Sequence, residues 1–316
     1  MKTPAIVSDD LPVAPSPARN RLRRAFKQLA LFKRELALSI LSGLLLATGL
    51  PTLNFWPMGF VALIPFLWSL RRTRGVAAFA LGMVFGLAYM YASIFWLNAI
   101  WPFAPSPPFA ILGVFLLAVY CALYYGIFGW FSRKFERLSP VATALSLAAV
   151  WTLLEWIRSV GQLAFPWAYL AHTQSANLPF IQMADIGGTF IISFVLLAIN
   201  YLLLHLLFIR NCRSYAPSIA LLALISAPYA YGAWRMQDPW TDGKAIRVGI
   251  SQPNIEQIDK LLSYAHPDES QRAPMQAQIQ AVQFAQVRAI RQAAPDTQLY
   301  ILPETAFTQP DFQVNR

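Results

Sequence analysis

The sequence predicts a polytopic α-helical membrane bundle of about seven spans, followed by the start of an α/β domain. Of its 316 residues, 57% are hydrophobic and only 13% are charged, whereas soluble domains average roughly 45–50% and about 25%. Seven apolar stretches lie between residues 36 and 234, and most have the roughly 17–25 residues that a spanning helix needs. After Trp240 the composition becomes that of a soluble domain. A soluble globular protein, a disordered chain and a coiled-coil rod are therefore excluded.

The chain divides into three predicted regions. Residues 1–34 are polar, rich in Pro and Arg, and carry eight Lys or Arg side chains, which indicates a disordered, basic, cytoplasmic arm. Residues 35–235 form the predicted transmembrane helical bundle, and residues 240–316 begin the predicted extracytoplasmic domain. The apolar stretches of the bundle are 36–50, 55–70, 76–97, 109–131, 141–157, 179–208 and 215–234.

The distribution of cationic residues predicts the orientation of these spans. Sixteen Lys and Arg residues lie in alternate connecting segments, beginning with the amino-terminal arm, while loops 51–54, 98–108 and 159–178 contain none. Because Lys and Arg are retained on the cytoplasmic side, the amino terminus is predicted to lie inside. An odd number of crossings then places residues 235–316 outside.

The first apolar stretch leaves two alternatives open. Residues 36–50 would cover only about 22 Å as a helix, less than the roughly 30 Å hydrocarbon core. This stretch could form a re-entrant hairpin with residues 55–70, which keeps the number of crossings odd. The basic, then apolar start also has the pattern of a signal peptide, although the later apolar segments already provide anchoring.

The region after Trp240 has the pattern of one strand–helix–strand unit. Residues 245–252 alternate as a strand does, residues 270–293 carry apolar side chains at near-helical spacing, and residues 298–302 form a short apolar run. Such a unit predicts two parallel strands joined by a helical crossover. One unit cannot cover both faces of a parallel sheet, so it is predicted to be the start of a larger domain.

Glu304 is the principal candidate catalytic residue. It directly follows the second predicted strand, at the carboxyl end where open α/β sheets bind ligands. Desolvation there would raise the pKa of its carboxyl toward a range suited to a general base. A carboxylate that only caps the turn after Pro303 is the structural alternative.

The segment Leu302–Ala306 has the sequence LPETA. It comes after the first predicted strand, residues 245–252, and after the turn at residues 253–255. This pattern resembles the opening of a carbon–nitrogen hydrolase (nitrilase-like) domain. A nitrilase-like domain outside a polytopic bundle resembles the bacterial apolipoprotein N-acyltransferase family. Further residues that match this family are Trp151, Glu155, Arg158, Phe165, Pro166, Trp167 and Gly187.

The resemblance implies a Glu–Lys–Cys triad and acyl transfer in the bacterial plasma (inner) membrane. A cysteine thiolate would take an acyl chain from a phospholipid donor, and the terminal amine of a diacylglyceryl lipoprotein would then accept it. Glu304 would be the general base for both steps. The sequence carries no phosphate loop, nucleic-acid module or metal-ligand spacing, so no cofactor and no nucleic acid are implied.

The family lysine and cysteine have no counterpart after Glu304 in this sequence. Cys121 is predicted to lie within the fourth span and Cys212 in a cytoplasmic loop, while Lys244 and Lys260 precede the glutamate. The chain as written is therefore predicted to be inactive, as an incomplete or decayed copy of an acyltransferase. A non-catalytic membrane scaffold stays open as an alternative, and a transporter is less favoured because no internal repeat is visible.

Four residues are candidates for substrate binding. Glu155 and Arg158 lie three residues apart near the outer end of a span, where ionisable groups face an interior or a cavity. They would position a lipid headgroup or the lipoprotein, or form a structural ion pair. Phe165 and Trp167 would form a hydrophobic lip for acyl chains, or belong to an interfacial aromatic belt.

Two further features of the spans are predicted to be structural. Gly82, Gly86, Gly126 and Gly129 would permit close helix contacts. His205 would be neutral and hydrogen-bonded within the bundle.

Overall fold

The computed structural model describes residues 17–103, 106–209, 214–237, 245–252, 254–256, 259–260, 262–263 and 268–302. The chain divides into two compact units, Met1–Gln237 and Asp238–Arg316. The first unit is helical, and the second contains one parallel pair of strands with a helix between them.

Helix α1 (Pro17–Thr48) overturns the prediction that the whole basic arm is disordered. Residues 17–34 are helical because they combine Ala, Leu, Arg, Lys and Gln, which are strong helix formers. Proline at the first position of the helix favours its start. Residues 1–16 of the predicted arm lie outside the described residues.

Among the described residues, five helices are long and apolar enough to cross a membrane: Gly75–Ala99, Pro107–Phe135, Pro140–Arg158, Ala184–Ile209 and Ala216–Arg235. They coincide with the last five of the seven predicted spans. The first two predicted spans do not meet this standard in the described part of the chain. Stretch 36–50 contains the end of α1, which stops at Thr48, and stretch 55–70 contains a shorter apolar helix, Trp56–Leu70. Seven spans are therefore not confirmed.

The shorter helix is broken into a 3₁₀ turn (Trp56–Phe60) and helix α2 (Ile64–Leu70). The buried side chain of Asn200 bonds the backbone of this interruption. Its Nδ2 donates to the Gly59 carbonyl at 2.8 Å, and its Oδ1 accepts from the Leu63 amide at 3.1 Å. Interrupted helices at membrane depth need such partners, because lipid offers none.

The main bundle is built from helices α3 (Gly75–Ile94), α4 (Pro107–Ser132), α5 (Pro140–Arg158), α6 (Leu178–Ile181), α7 (Ala184–Leu204) and α8 (Ala216–Arg235). Helix α3 packs along α4 and α1, and α5 packs along α7. An aromatic cluster lies at the centre, where the Phe85 ring stacks on Phe66 at 4.2 Å and meets Trp151 at 6.1 Å. This cluster supports the last turns of α5.

The second unit contains strand β1 (Val248–Ile250), helix α9 (Glu269–Ala293) and strand β2 (Leu299–Ile301). The two strands are parallel, with Val248 opposite Leu299 and Ile250 opposite Ile301. The predicted strand–helix–strand order with parallel strands is therefore confirmed. Glu304, the candidate general base, lies outside the described residues.

Candidate functional site

The two ionisable residues of α5 lie in its last turns, with both side chains buried in the bundle. Glu155 is 3% exposed and Arg158 is 1% exposed. Carrying them into lipid would be costly, so the sequence predicts that they face an interior. This prediction is confirmed, and both groups turn toward the loop that follows α5.

Glu155 joins α5 to the end of that loop. Its Oε1 accepts hydrogen bonds from the Trp151 indole Nε1 at 2.9 Å and from the Leu170 amide at 2.8 Å. Leu170 is the first residue of a 3₁₀ turn (Leu170–Gln174), whose first amides have no partner within the turn. The carboxylate therefore caps this turn from a neighbouring helix, and the Ser193 hydroxyl of α7 interacts with the same carboxylate.

Arg158 holds the middle of the loop. Its Nη1 donates to the Trp167 carbonyl at 2.8 Å and lies 3.7 Å from the Met90 sulfur. The guanidinium carbon lies 5.1 Å from the centre of the Tyr169 ring, which adds a cation–π contact. Its Nη2 and the Glu155 Oε2 are buried without a hydrogen bond to the described residues.

The predicted alternative, a structural Glu155–Arg158 ion pair, does not take the form of a direct salt bridge, although the two charges interact electrostatically. No carboxylate oxygen of Glu155 lies within 4.0 Å of an Arg158 nitrogen, both residues being described. Each side chain reaches different backbone groups of the loop, because a peptide carbonyl and a peptide amide satisfy the two charges separately. We call the two side chains, with their bonds to Trp167 and Leu170, the loop clamp.

Two tyrosines that the sequence analysis did not single out also hold the loop. The Tyr89 hydroxyl donates to the Ala168 carbonyl at 3.1 Å, and the Tyr120 hydroxyl donates to the Leu163 carbonyl at 2.9 Å. Ala168 has φ of 52°, which a residue with a Cβ rarely adopts. The surrounding hydrogen bonds maintain this conformation. No feature of the sequence distinguishes these tyrosines from others in the spans.

The loop presents aromatic side chains at its surface. The centre of the Trp167 ring lies 6.1 Å from that of Phe165, on which it stacks, and 5.3 Å from that of Trp96. Trp167 is 47% exposed. An open cleft of about 740 Å³ borders Trp96, Trp167 and His172. Sequence analysis assigned Trp96 only to an aromatic belt, whereas the fold brings it against Trp167. Both alternatives for Phe165 and Trp167, an acyl lip or a belt, fit this position.

His172 lines this cleft with a neutral side chain. Its Nδ1 accepts from the Tyr169 amide at 3.3 Å, and its ring lies 5.2 Å from the Tyr169 ring. Burial, with a smaller effect from the Arg158 charge, lowers the pKa of the imidazole. Burial raises the pKa of the Tyr169 hydroxyl. Both groups therefore stay uncharged at neutral pH. The charged groups of this region are Glu155 and Arg158 of the loop clamp.

The structure does not test the predicted catalytic triad. Glu304, Lys244 and Cys212 lie outside the described residues. Cys121 is fully buried in α4, as its predicted place within a span requires.

Comparison with known proteins gives a consistent assignment for the first unit. A family model described as the apolipoprotein N-acyltransferase N-terminal domain matches residues 42–202, about half of the chain. This range contains the loop clamp, the aromatic loop and α3 to α5 complete.

Curated relatives extend the similarity beyond the bundle. An apolipoprotein N-acyltransferase of Geobacter metallireducens is 32% identical over 235 residues, which cover 72% of this chain and 45% of the relative. That of Gloeobacter violaceus is 29% identical over 273 residues, covering 84% of this chain and 49% of the relative. That of Allorhizobium ampelinum is 31% identical over 258 residues, covering 76% and 47%. The chain thus spans about half the length of these curated relatives.

Proposed function

The chain belongs to the apolipoprotein N-acyltransferase family, and we propose that it forms the membrane bundle and the start of the catalytic domain of an enzyme that acylates lipoproteins. The observation that carries this proposal is the family match over residues 42–202, which includes the clamped loop. The catalytic domain would be nitrilase-like and would begin with the parallel strand pair β1 and β2.

The proposed reaction has two steps. A cysteine thiolate attacks an ester carbonyl of a phospholipid, which forms a thioester and releases a lysophospholipid. The amine of a diacylglyceryl-cysteine then attacks the thioester, which forms an amide and regenerates the thiol. Glu304 would accept the proton of the thiol and pass it to the departing lysophospholipid oxygen, and would then accept the proton of the amine and return it to the cysteine sulfur. The family residues that supply the thiol and a lysine would follow Glu304.

The loop clamp gives the bundle its proposed part in this reaction. Two buried charges and two tyrosine hydroxyls fix the loop backbone while Trp167 stays half exposed beside the cleft. A rigid loop with exposed aromatic rings suits the guidance of acyl chains toward an external catalytic domain, since preorganisation lowers the cost of binding. Glu155 and Arg158 would act as positioning residues, and Phe165 and Trp167 would contact the lipid.

The test of this proposal uses a chimaeric enzyme. This chain, joined to the remaining carboxyl-terminal part of the Geobacter metallireducens relative, would carry the family lysine and cysteine. Glu304→Gln in the chimaera is expected to reduce the rate of acyl-thioester formation by at least about a hundredfold, because a general base contributes roughly 10²–10⁴-fold. The thioester would be followed with a fluorescent phospholipid donor.

Glu256→Gln supplies the matched control. Glu256 is exposed in the same unit as β1 and β2, and the same chemical change there is expected to leave the thioester rate unchanged. Normal thioester formation in Glu304→Gln would remove this residue from the mechanism. A chimaera that forms no thioester even with Glu304 intact would favour the non-catalytic scaffold.

The proposed enzyme also requires a defined orientation in the bacterial plasma (inner) membrane. With the amino terminus in the cytoplasm, a reporter fused after Arg235 is expected to be extracytoplasmic, because α8 would end on the outer side. A reporter fused after Arg137 should be cytoplasmic. Alkaline phosphatase and green fluorescent protein fusions distinguish the two sides, and a cytoplasmic signal after Arg235 would overturn the proposed orientation.

A further inference from the structure

A second cleft, of about 830 Å³, lies at the other end of the bundle from the loop clamp. Pro140 and Thr143 of α5 line it, whereas Arg158 ends the same 19-residue helix. At 1.5 Å per residue these ends are about 27 Å apart. The cleft is therefore separate from the loop clamp and from the aromatic loop.

Two arginines and one glutamate, Arg71, Arg133 and Glu136, line the cleft and leave it with an excess of positive charge. The Arg133 guanidinium pairs with Glu136 and donates to the Arg71 carbonyl, and Arg74 pairs with the other oxygen of Glu136 at 2.8 Å. Arg71 also lines the cleft, and it has no acidic partner among the described side chains. Its guanidinium lies 5.3 Å from the centre of the Trp68 ring.

Polar groups of the cleft are also left without a protein partner. His205 is only 7% exposed and lines the cleft, yet its ring makes no hydrogen bond to a described residue. The prediction that His205 is hydrogen-bonded within the bundle is therefore wrong for the described part of the chain. The Nε of Arg133 is fully buried and has no hydrogen-bond partner among the described residues. Buried donors without partners are costly, which indicates that a ligand with acceptor oxygens completes this site.

Apolar side chains form part of the remaining walls of the cleft, together with the hydroxyls of Ser132, Thr143 and Tyr201. Leu67, Leu147 and Ile209 face it beside the polar groups. Arginine and histidine side chains donate hydrogen bonds to phosphate oxygens, and leucine and isoleucine side chains suit a glycerol backbone with the start of its acyl chains. A free phosphate ion would gain nothing from the apolar walls.

We propose that this cleft binds the phosphate of a glycerophospholipid, with Arg71 and His205 contacting the phosphate oxygens and the apolar walls contacting the glyceryl part. The site lies at the end of the bundle where the cationic connecting segments meet, next to the leaflet expected to face the cytoplasm. It does not depend on the proposed acyl transfer, since it lies at the far end of α5 from the loop clamp.

Native mass spectrometry of the full chain in detergent tests this inference. The probe is dioleoylphosphatidylglycerol, added to protein from which bound lipid has been removed. Arg71→Gln is expected to weaken binding of the first lipid about tenfold, as the loss of one charge-assisted contact predicts. Arg72→Gln is the matched control, because Arg72 also lies over the Trp68 ring, at 5.9 Å, but does not line the cleft. It should bind the lipid as the unmodified chain does.

A second variant and two further probes complete the test. His205→Leu should also weaken binding of dioleoylphosphatidylglycerol. Dioleoylglycerol lacks the phosphate and inorganic phosphate lacks the apolar part, so each should bind the unmodified chain at least tenfold more weakly than dioleoylphosphatidylglycerol does. Equal affinities of the Arg71→Gln and Arg72→Gln variants would overturn the site. Equal binding of dioleoylglycerol would reduce it to an apolar groove, and equal binding of inorganic phosphate would make it an anion site without lipid. Either result would overturn the inference.

Discussion

Replacing Glu155 with leucine is expected to lower the free energy of unfolding of the bundle by about 4 kcal/mol. The change leaves the Trp151 indole N–H and the Leu170 amide buried without an acceptor, at a cost of roughly 1–3 kcal/mol each. It also leaves the buried Arg158 charge without the neighbouring carboxylate. Unfolding would be followed in detergent by the near-ultraviolet circular dichroism of the tryptophans, with increasing denaturant.

Glu155→Gln is the matched variant, because its amide oxygen can still accept both hydrogen bonds. It is expected to cost about 1 kcal/mol or less, since the geometry is kept and only the charge is lost. A leucine variant that is no less stable than the glutamine variant would contradict the assigned hydrogen bonds.

The same pair of variants distinguishes a loop clamp from general stabilisation. Leu163 and Trp167 are chymotrypsin sites in the loop that the clamp holds. In Glu155→Leu the loop should be cleaved at least about tenfold faster under native conditions, because local opening exposes backbone to the protease. If stability fell while cleavage stayed at the rate of the unmodified chain, Glu155 would support the helices and not the loop.

The five long spans could be predicted from the sequence because length and apolar composition decide them. Hydropathy alone could not resolve residues 36–70. The apolar part of α1 is too short for the membrane, and a loop and two short helices occupy the next stretch. Asn200 is needed to bond this interruption, and it comes from a helix more than a hundred residues later. Such a long-range hydrogen bond leaves no local pattern in the sequence.

The candidate site could be predicted only in part, and the part that was missed has a similar cause. The cost of a charge in lipid is a local property, so the inward direction of Glu155 and Arg158 followed from their place in a span. Their partners are backbone groups of Trp167 and Leu170, and any residue type offers the same carbonyl and amide. Spacing suggested an ion pair, but the fold supplies closer partners. The positive φ of Ala168 likewise leaves no signal in the sequence, because the residue is neither Gly nor Asn, the types that usually adopt this conformation.

Replacing Gly82 with alanine is expected to destabilise the bundle by at least about 2 kcal/mol. A Cβ at this position of α3 would lie 2.1 Å from the Tyr125 carbonyl oxygen and 2.9 Å from the Gly126 Cα of α4. Both are backbone atoms, so the helices themselves must move apart, and overpacking of this kind costs roughly 1–3 kcal/mol or more. The measurement is again denaturant unfolding in detergent.

Gly113→Ala is the control, since a Cβ there meets no atom within 4 Å. Alanine is the better helix former by about 1 kcal/mol, so this variant should be neutral or slightly more stable. Equal losses for Gly82→Ala and Gly113→Ala would show that flexibility, and not close approach of α3 and α4, is what glycine provides.

The Gly82 contact also connects the packing of α3 and α4 to the site. The Tyr125 ring lies 5.2 Å from the Trp151 ring, and the Trp151 indole donates to Glu155. Moving Tyr125 away from α3 would therefore displace Trp151 and weaken the clamp. Gly82→Ala should increase chymotrypsin cleavage of the loop as well as reduce stability, although the atoms nearest to the added Cβ belong to α4. Unchanged cleavage in a destabilised Gly82→Ala variant would mean that the loop clamp is independent of the glycine contact.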